Sequence, residues 1–490
     1  MHKALAGALL AAAAGWSPWV AAQPKDNTIA FENCTLELPG TTATALARCG
    51  WFEVPENPAE PEGRKIRLKV AVAPASAPSA EPDPLFIFAG GPGQAASETW
   101  VMMRPILNDV REKRDIVMID QRGTGSSAPL DCPVPADEEG DFDTEIDLER
   151  VAELTRECLA ALEGDPAQYT TTIGMRDYDL VREAMGYERI NLLGISYGTR
   201  SAQVYLRMFP ERVRSVILDS VVPMQLNLGA EHSMMLDRAV AKVLADCAAD
   251  ADCSERFPVT MEDLRTLVRS LREQPREIEF THPLTGEIDT LRVDGDMLAV
   301  AIRFLNYASA TQAVVPLLAH EAIATGRLDR LAAQAMLVMG SLAETISRGM
   351  ELSVLCSEDH PFMGPPPDED DTLLGGLMRQ VMDVQCGLWP KGEVADDFHA
   401  PVRWDGPVLL MSGERDPVTP PAYAAQAAET FPNSANLVAP GLGHMVIKHR
   451  CLRDVAADFI AEPDVSALET ACVDEIEASP FFTTLLGPEP

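Results

Sequence analysis

The chain is short of positive charge: 40 Lys and Arg stand against 75 Asp and Glu in 490 residues, a formal net charge of −35. Nucleic acid and anionic membrane surfaces are thereby disfavoured as partners, because counterion release and long-range attraction both have the wrong sign. Solubility is the plain reading of such a charge, and a field that draws in cationic substrates is the sharper one. Long apolar runs are also lacking. Beyond residue 22 no stretch approaches the roughly 18 uninterrupted apolar residues of a membrane span, so none is expected in the mature chain. There is no Cys-x-x-Cys pair and no Cys/His cluster with zinc spacing, so no metal and no cofactor is expected. The glycine-rich loops lack both the Walker lysine spacing and a Gly-x-Gly-x-x-Gly, which argues against nucleotide binding. Neither a low-complexity tract nor an internal repeat interrupts the chain.

The N-terminus, by contrast, is rich in one signal. Met1-His2-Lys3 is basic, residues 4–20 are small and apolar, and Val20-Ala21-Ala22 precedes Gln23. Residues 1–22 read as a secretory signal. A membrane anchor is the competing reading, weakened by the short run and by Gly15, Ser17 and Pro18 within it. Export to the periplasm or medium makes the ten cysteines candidates for disulfides. They fall into local couples, Cys34 with Cys49, Cys132 with Cys158, Cys247 with Cys253, Cys356 with Cys386 and Cys451 with Cys472. Sequential pairing is expected because each loop is short and none crosses the fold.

Within the body of the chain, Ile66 to Val72 alternates like a strand, Leu85-Phe86-Ile87-Phe88 is a continuous apolar run suited to a buried parallel strand, and Asp115 to Asp120, Val213 to Asp219 and Pro407 to Gly413 read as further buried strands. Ala435 to Val438 adds another. Helical spacing fills 146–162 and 174–186, and the alternation of strands and helices is that of an α/β fold with a mostly parallel sheet. From about Pro223 to His399 the rhythm changes to amphipathic helices at 234–247, 294–305, 311–325 and 329–349, with one hairpin around Thr281 to Glu287. That stretch ends in a loop-rich, proline-rich segment from Cys356 to Pro390. The expected division is core at 23–222, a mainly helical cap insertion at 223–400, and the remaining core at 401–490.

Asn191-Leu192-Leu193-Gly194-Ile195-Ser196-Tyr197-Gly198 is an apolar strand running into a Gly-x-Ser-x-Gly turn, followed by residues able to form a helix. That is the context of a nucleophile elbow, with Ser196 on the bend. Asp416 and His444 each follow a later predicted strand, and strand ends of a parallel sheet share one edge. The order Ser, Asp, His is the α/β-hydrolase order. In this reading His444 takes the Ser196 proton and Asp416 holds the imidazole. His360, His399 and His449 compete for the base, and Glu414 and Asp405 for the acid; His444 is preferred for its place after Gly-Leu-Gly and Asp416 for its place before Pro417. Asp219, at another strand end, reads as a solvated loop carboxylate, with a catalytic acid as the alternative. Two oxyanion donors are needed: the N–H of Tyr197, and that of Gly91 or its neighbour in Gly90-Gly91-Pro92-Gly93, a loop that would otherwise be an ordinary tight turn.

Taken with Asp120-Gln121-Arg122-Gly123-Thr124-Gly125-Ser126, Gly413-Glu414-Arg415-Asp416 and Gly443-His444, these motifs resemble the proline iminopeptidase and tripeptidyl aminopeptidase family of serine α/β-hydrolases, the secreted, disulfide-bearing branch most closely. The resemblance covers nearly all of the mature chain. It implies an α/β-hydrolase fold with a helical cap, and exopeptidase action on peptide substrates with a free N-terminus. Ala89 stands where cytoplasmic proline iminopeptidases have His, which weakens strict proline specificity. An enzyme of this kind has to bind an ammonium group, and Glu358 and Asp359 in the cap are the candidates. A carboxylesterase or amidase with the same triad, and a catalytically silent hydrolase fold used for binding, are the competing functions.

Overall fold

In a computed structural model of the chain, residues 29–132, 147–283, 286–334, 336, 345–365 and 371–488 are described. The expected signal at 1–22 and the middle of the helix expected at 329–349 lie outside them. The strands are β1 (Glu32–Glu37), β2 (Thr44–Pro55), β3 (Lys65–Ala73), β4 (Leu85–Phe88), β5 (Ile116–Ile119), β6 (Ile190–Ile195), β7 (Val213–Asp219), β8 (Arg276–Thr281), β9 (Ile288–Val293), β10 (Val408–Gly413) and β11 (Ser434–Ala439). Nine of them form one sheet in the order β1-β2-β3-β5-β4-β6-β7-β10-β11. From β5 through β4, β6, β7 and β10 to β11 every neighbouring pair is parallel, and β1, β2 and β3 add an antiparallel wing. This is the α/β-hydrolase fold.

The continuous apolar runs have a direct cause. Side chains of a strand alternate between faces, and Leu85 and Ile87 of β4 join one apolar cluster while Phe86 and Phe88 join another. β6 divides in the same way, with Leu193 and Ile195 on one face and Ile190 and Leu192 on the other. Helices cover both faces, as a parallel sheet requires.

β1 and β2 were not legible from apolar periodicity. In β2 the buried positions include the small Ala45 and Ala47, while Leu46 is 79% exposed and Trp51 44% exposed. An alternation that hides alanine and shows leucine scrambles the pattern on which strand reading depends.

Between β7 and β10 the described residues form helices and the two-stranded β8–β9 hairpin. This stretch has an apolar core of its own, with Leu236, Val240, Leu264, Leu298, Ile302 and Leu318 among its members. Expected helices appear as His232–Ala249 and Gly295–Leu305, and the one expected over 311–325 is split into Ser309–Gln312 and Val315–Thr325. One expectation fails: the segment read as loop-rich up to Pro390 contains the helix Leu377–Leu388. No proline falls between 367 and 390, and residues of that interval take up an amphipathic helix against Cys356.

Two acidic side chains dock this stretch onto the core. Glu358 accepts from the Thr171 N–H, at 2.5 Å, and from Thr171 Oγ1, at 2.6 Å, at the first turn of the helix Thr171–Ala184. A carboxylate there meets the unpaired N–H groups and positive end of the helix dipole. Asp359 accepts from Arg200 Nη1 and from the Leu228 N–H, both at 2.7 Å. Both acids are 0% exposed. The expected ammonium-binding role for Glu358 and Asp359 is therefore corrected. Neither carboxylate is open to solvent: Glu358 is held by Thr171, and Asp359 is held through Oδ1 by Arg200 and the Leu228 N–H while its Oδ2 has no protein partner.

All five disulfides pair as neighbours in sequence: Cys34–Cys49, Cys132–Cys158, Cys247–Cys253, Cys356–Cys386 and Cys451–Cys472. Replacing Cys451 and Cys472 together by Ser, which opens a loop with a sequence separation of 21, should cost about 3 kcal/mol in equilibrium urea unfolding. A second prediction concerns Glu358. Burial, the largest influence, pushes its carboxyl from an ordinary 4.5 up to about 7, against the lowering effect of the Thr171 donors. Between those pH values the folded protein holds a proton that the unfolded chain has released, so stability present below pH 4.5 is lost as pH rises through about 7. Glu358→Gln removes that titration, and its melting temperature should gain on the wild type as pH rises through the window. Parallel melting curves at all pH values would contradict the assignment.

Candidate active site

β6 delivers Ser196 to a bend that ordinary side chains could not line. Ser196 has φ 55° and ψ −124°, a left-handed φ rare outside glycine. A Cβ on Gly198 would lie 2.0 Å from the Phe88 carbonyl oxygen, and one on Gly194 would lie 2.5 Å from that of Gly198. These two close approaches explain the paired glycines. The Ser196 N–H is held by the Asp219 carbonyl at 2.9 Å, and the helix Tyr197–Met208 begins at the next residue. Ser196 itself is half-buried amid fully buried neighbours.

Asp416 lies past the end of β10 and is 2% exposed. Its Oδ1 accepts from the N–H groups of Val418, at 2.9 Å, and Thr419, at 2.8 Å. Its Oδ2 accepts from Thr419 Oγ1 at 2.8 Å and lies 2.7 Å from His444 Nδ1. Burial alone would raise this carboxyl, but the His444 imidazole and the surrounding donors outweigh it and hold the group below the usual carboxylate value. An ionised carboxylate only accepts, so the His444 proton sits on Nδ1 and Nε2 is left as the acceptor. Ser196 Oγ is not hydrogen-bonded to His444 Nε2 in this structure, a contact that in such sites often tightens only around substrate.

The competing residues are elsewhere. Glu414 pairs with Lys242 at 3.2 Å, Asp405 is exposed, and His360 pairs with Asp383 at 2.8 Å. Both ring nitrogens of His399 face backbone carbonyls, those of Met224 at 3.0 Å and Glu358 at 2.7 Å. His449 precedes the helix Arg450–Ala461.

The glycine loop runs against the nucleophile turn: a Cβ on Gly90 would sit 3.4 Å from the Cβ of Ser196. Gly91 is next in that loop, and Tyr197 opens the helix after Ser196. Among the described residues neither N–H donates to a protein acceptor.

Several supporting residues escaped the sequence reading because they lie far away in the chain. The Tyr307 carbonyl accepts from the His444 N–H at 2.7 Å, and its ring meets the imidazole edge-on with centroids 5.4 Å apart. Gln312, fully buried, donates to the Arg415 carbonyl at 2.9 Å. Arg415 in turn pairs with Asp246 at 2.7 Å. Ser347 N–H donates to the Gly93 carbonyl at 3.0 Å. The inserted stretch thus touches the loops of Asp416, His444 and the glycines alike. Asp219 was read from sequence as solvated, yet it is 0% exposed. Its place at a strand end was visible; its burial was not.

A family model described as alpha/beta hydrolase fold matches residues 83–246, and one described as TAP-like protein matches residues 375–472. The tripeptidyl aminopeptidase of Streptomyces coelicolor is 24% identical over 88% of this chain and 84% of its own length. Serine protease Hip1 of Mycobacterium tuberculosis is 28% identical over 47% of this chain and 48% of its own. Among solved structures, the proline iminopeptidase of Mycobacterium smegmatis aligns with a TM-score of 0.42 and 18% identity, over 85% of this chain and 99% of that one. The chain is an α/β-hydrolase whose C-terminal part matches the TAP-like model, with a tripeptidyl aminopeptidase and a serine protease among its relatives.

Proposed function

We propose that the protein is a secreted serine exopeptidase that removes N-terminal residues or short peptides from peptide substrates, with Ser196, His444 and Asp416 as its triad. The observation that carries the reading is the 2.7 Å contact between His444 Nδ1 and the buried Asp416, past strand ends that share one edge with the Ser196 bend. Similarity to a tripeptidyl aminopeptidase over 88% of the chain supports the substrate class. Five disulfides support export, and no helix among the described residues is long and apolar enough to cross a membrane.

In this mechanism Ser196 Oγ attacks the scissile carbonyl carbon as its proton passes to His444 Nε2. The carbonyl oxygen, now negative, takes hydrogen bonds from the N–H groups of Tyr197 and Gly91, the former at a helix N-terminus whose dipole also favours the charge. The imidazolium, stabilised by Asp416, gives its proton to the departing amine, and the acyl group stays on Ser196. Water then repeats the sequence: His444 takes its proton, its oxygen attacks the acyl carbon, and Ser196 leaves reprotonated. Residues 223–400 act as a cap that restricts entry to a chain end. Since Glu358 and Asp359 are buried, ammonium recognition falls to other groups lining that entry.

The test is turnover of tripeptidyl p-nitroanilides with free and with acetylated N-termini, beside a p-nitrophenyl ester. Free-amine amides should be hydrolysed and acetylated ones poorly; ester turnover alone would make the protein a carboxylesterase, and no turnover at all a silent fold. Ser196→Ala and His444→Ala should each lower kcat by at least about 10⁴-fold with folding intact. Replacing Asp416 by Asn should cost about 10⁴-fold by admitting the wrong imidazole tautomer. Glu358→Gln, remote from the reacting atoms, should leave the preference for free amines unchanged; selective loss of free-amine substrates would restore the ammonium-binding role.

A further inference from the structure

Five successive backbone N–H groups around the base are all held from outside their own loop. Those of Gly443 and His444 donate to Ser309 Oγ at 3.1 Å and to the Tyr307 carbonyl at 2.7 Å, both from the inserted stretch. The next three turn to the end of β7. Met445 N–H donates to Ser220 Oγ at 2.8 Å, and Val446 and Ile447 donate to Asp219 Oδ1 and Oδ2, each at 3.0 Å. Met445 and Ser220 both have left-handed φ, 65° and 60°, though neither is glycine. Such conformations persist where surrounding contacts over-determine them.

Asp219 and Ser220 also bond to Ser196 and to the strand that leads to Asp416. The Asp219 carbonyl takes the Ser196 N–H at 2.9 Å, and the Ser220 N–H donates to the carbonyl of Met411, in the strand that carries Asp416, at 2.9 Å. The Asp219 carboxylate is not a second acid for the imidazole, because each oxygen accepts a backbone N–H and Asp416 already holds Nδ1.

We infer that Asp219, together with Ser220, is a positioning residue for catalysis, locking the turn that carries His444 to the turn that carries Ser196. The inference rests on the triad reading above. It assigns to a single buried residue the spacing between nucleophile and base, which neither loop could set by itself. The titratable groups that face Asp219 are His444, Asp416 and Lys448. Burial pushes the Asp219 carboxyl up to about 6, against the lowering pull of the Ile447 and Val446 donors and of His444.

The experiment uses the full-length protein and p-nitrophenyl acetate, an ester that a serine hydrolase of either specificity can turn over. Asp219→Asn keeps the shape, but its amide can accept only one of the two N–H bonds and turns a donor towards the other. Its kcat should fall about 100-fold with KM within about twofold, the effect of misplacing a reacting group by about 1 Å. Removing a negative charge beside the imidazolium should also move the acid limb of the kcat/KM profile to lower pH, which a purely structural loss would not do. Ser220→Ala keeps the carboxylate and should lower kcat by about 10-fold without moving that limb. If Asp219→Asn does not fold, Ser220→Ala decides: lost kcat at wild-type KM supports the inference, and wild-type kcat overturns it. A folded Asp219→Asn protein with unchanged kcat and pH profile overturns it as well. His444→Ala separates the two levels. If that variant is inactive while Asp219→Asn is unimpaired, only the inference falls; if it keeps turnover, the triad reading falls and takes the inference with it.

Discussion

A strand such as β6, buried on both faces, admits a polar side chain only where protein groups pair with it, as Asp83 does with Asn191, and leaves none open to a ligand before its last residue. β4, β5, β7 and β10 share that condition, and their parallel pairing brings their ends to one edge. The chemistry is confined there by exclusion. Ser196, Asp219 and Asp416 stand past or at the ends of β6, β7 and β10, neighbours in the sheet. Hydrogen bonds between these ends then turn proximity into fixed spacing, as between the Ser196 N–H and the Asp219 carbonyl.

The stretch between β7 and β10 is a structural member of this edge as well as a cover. Asp246 pairs with Arg415 beside the acid, the Tyr307 carbonyl holds the His444 N–H, and the Ser347 N–H holds the Gly93 carbonyl. Asp359 ties the same stretch to Arg200 in the helix that starts at the nucleophile, with both side chains wholly buried. A buried ion pair of this kind is costly to break, because the remaining charge would be left without a partner. Motions that displace this stretch would therefore disturb the loops of Asp416 and His444.

Legibility in the sequence followed how local each cause is. β4, β5, β6, β7 and β10 were readable because burial on both faces gathers apolar residues into short runs, interrupted only by Asn191 in β6, by Arg214 and Ser215 in β7 and by the strand ends, whereas β2 was not, since it hides alanines and exposes Leu46 and Trp51. The disulfides were readable because each closes a short loop. Glu358 and Asp359 were read as ammonium ligands in a constrained segment, but their partners Thr171 and Arg200 lie more than 150 residues away, with separations of 187 and 159. Without those partners, a buried clamp and an exposed ligand look identical on paper.

The sequence by itself determined the parallel strands, the Ser196 turn and the order of Ser196, Asp416 and His444, because strand burial, the two glycines beside Ser196 and the strand-end positions of Asp416 and His444 are properties of short segments. Tertiary structure alone decided which carboxylates face protein donors and which remain open to a ligand. That is why Asp219 changed from a solvated loop acid into a fully buried acceptor for the turn after His444, and why Glu358 changed from a ligand for substrate into a helix cap. Burial and hydrogen-bond saturation are set by elements distant in the chain, and a residue's type and its immediate neighbours carry no record of them.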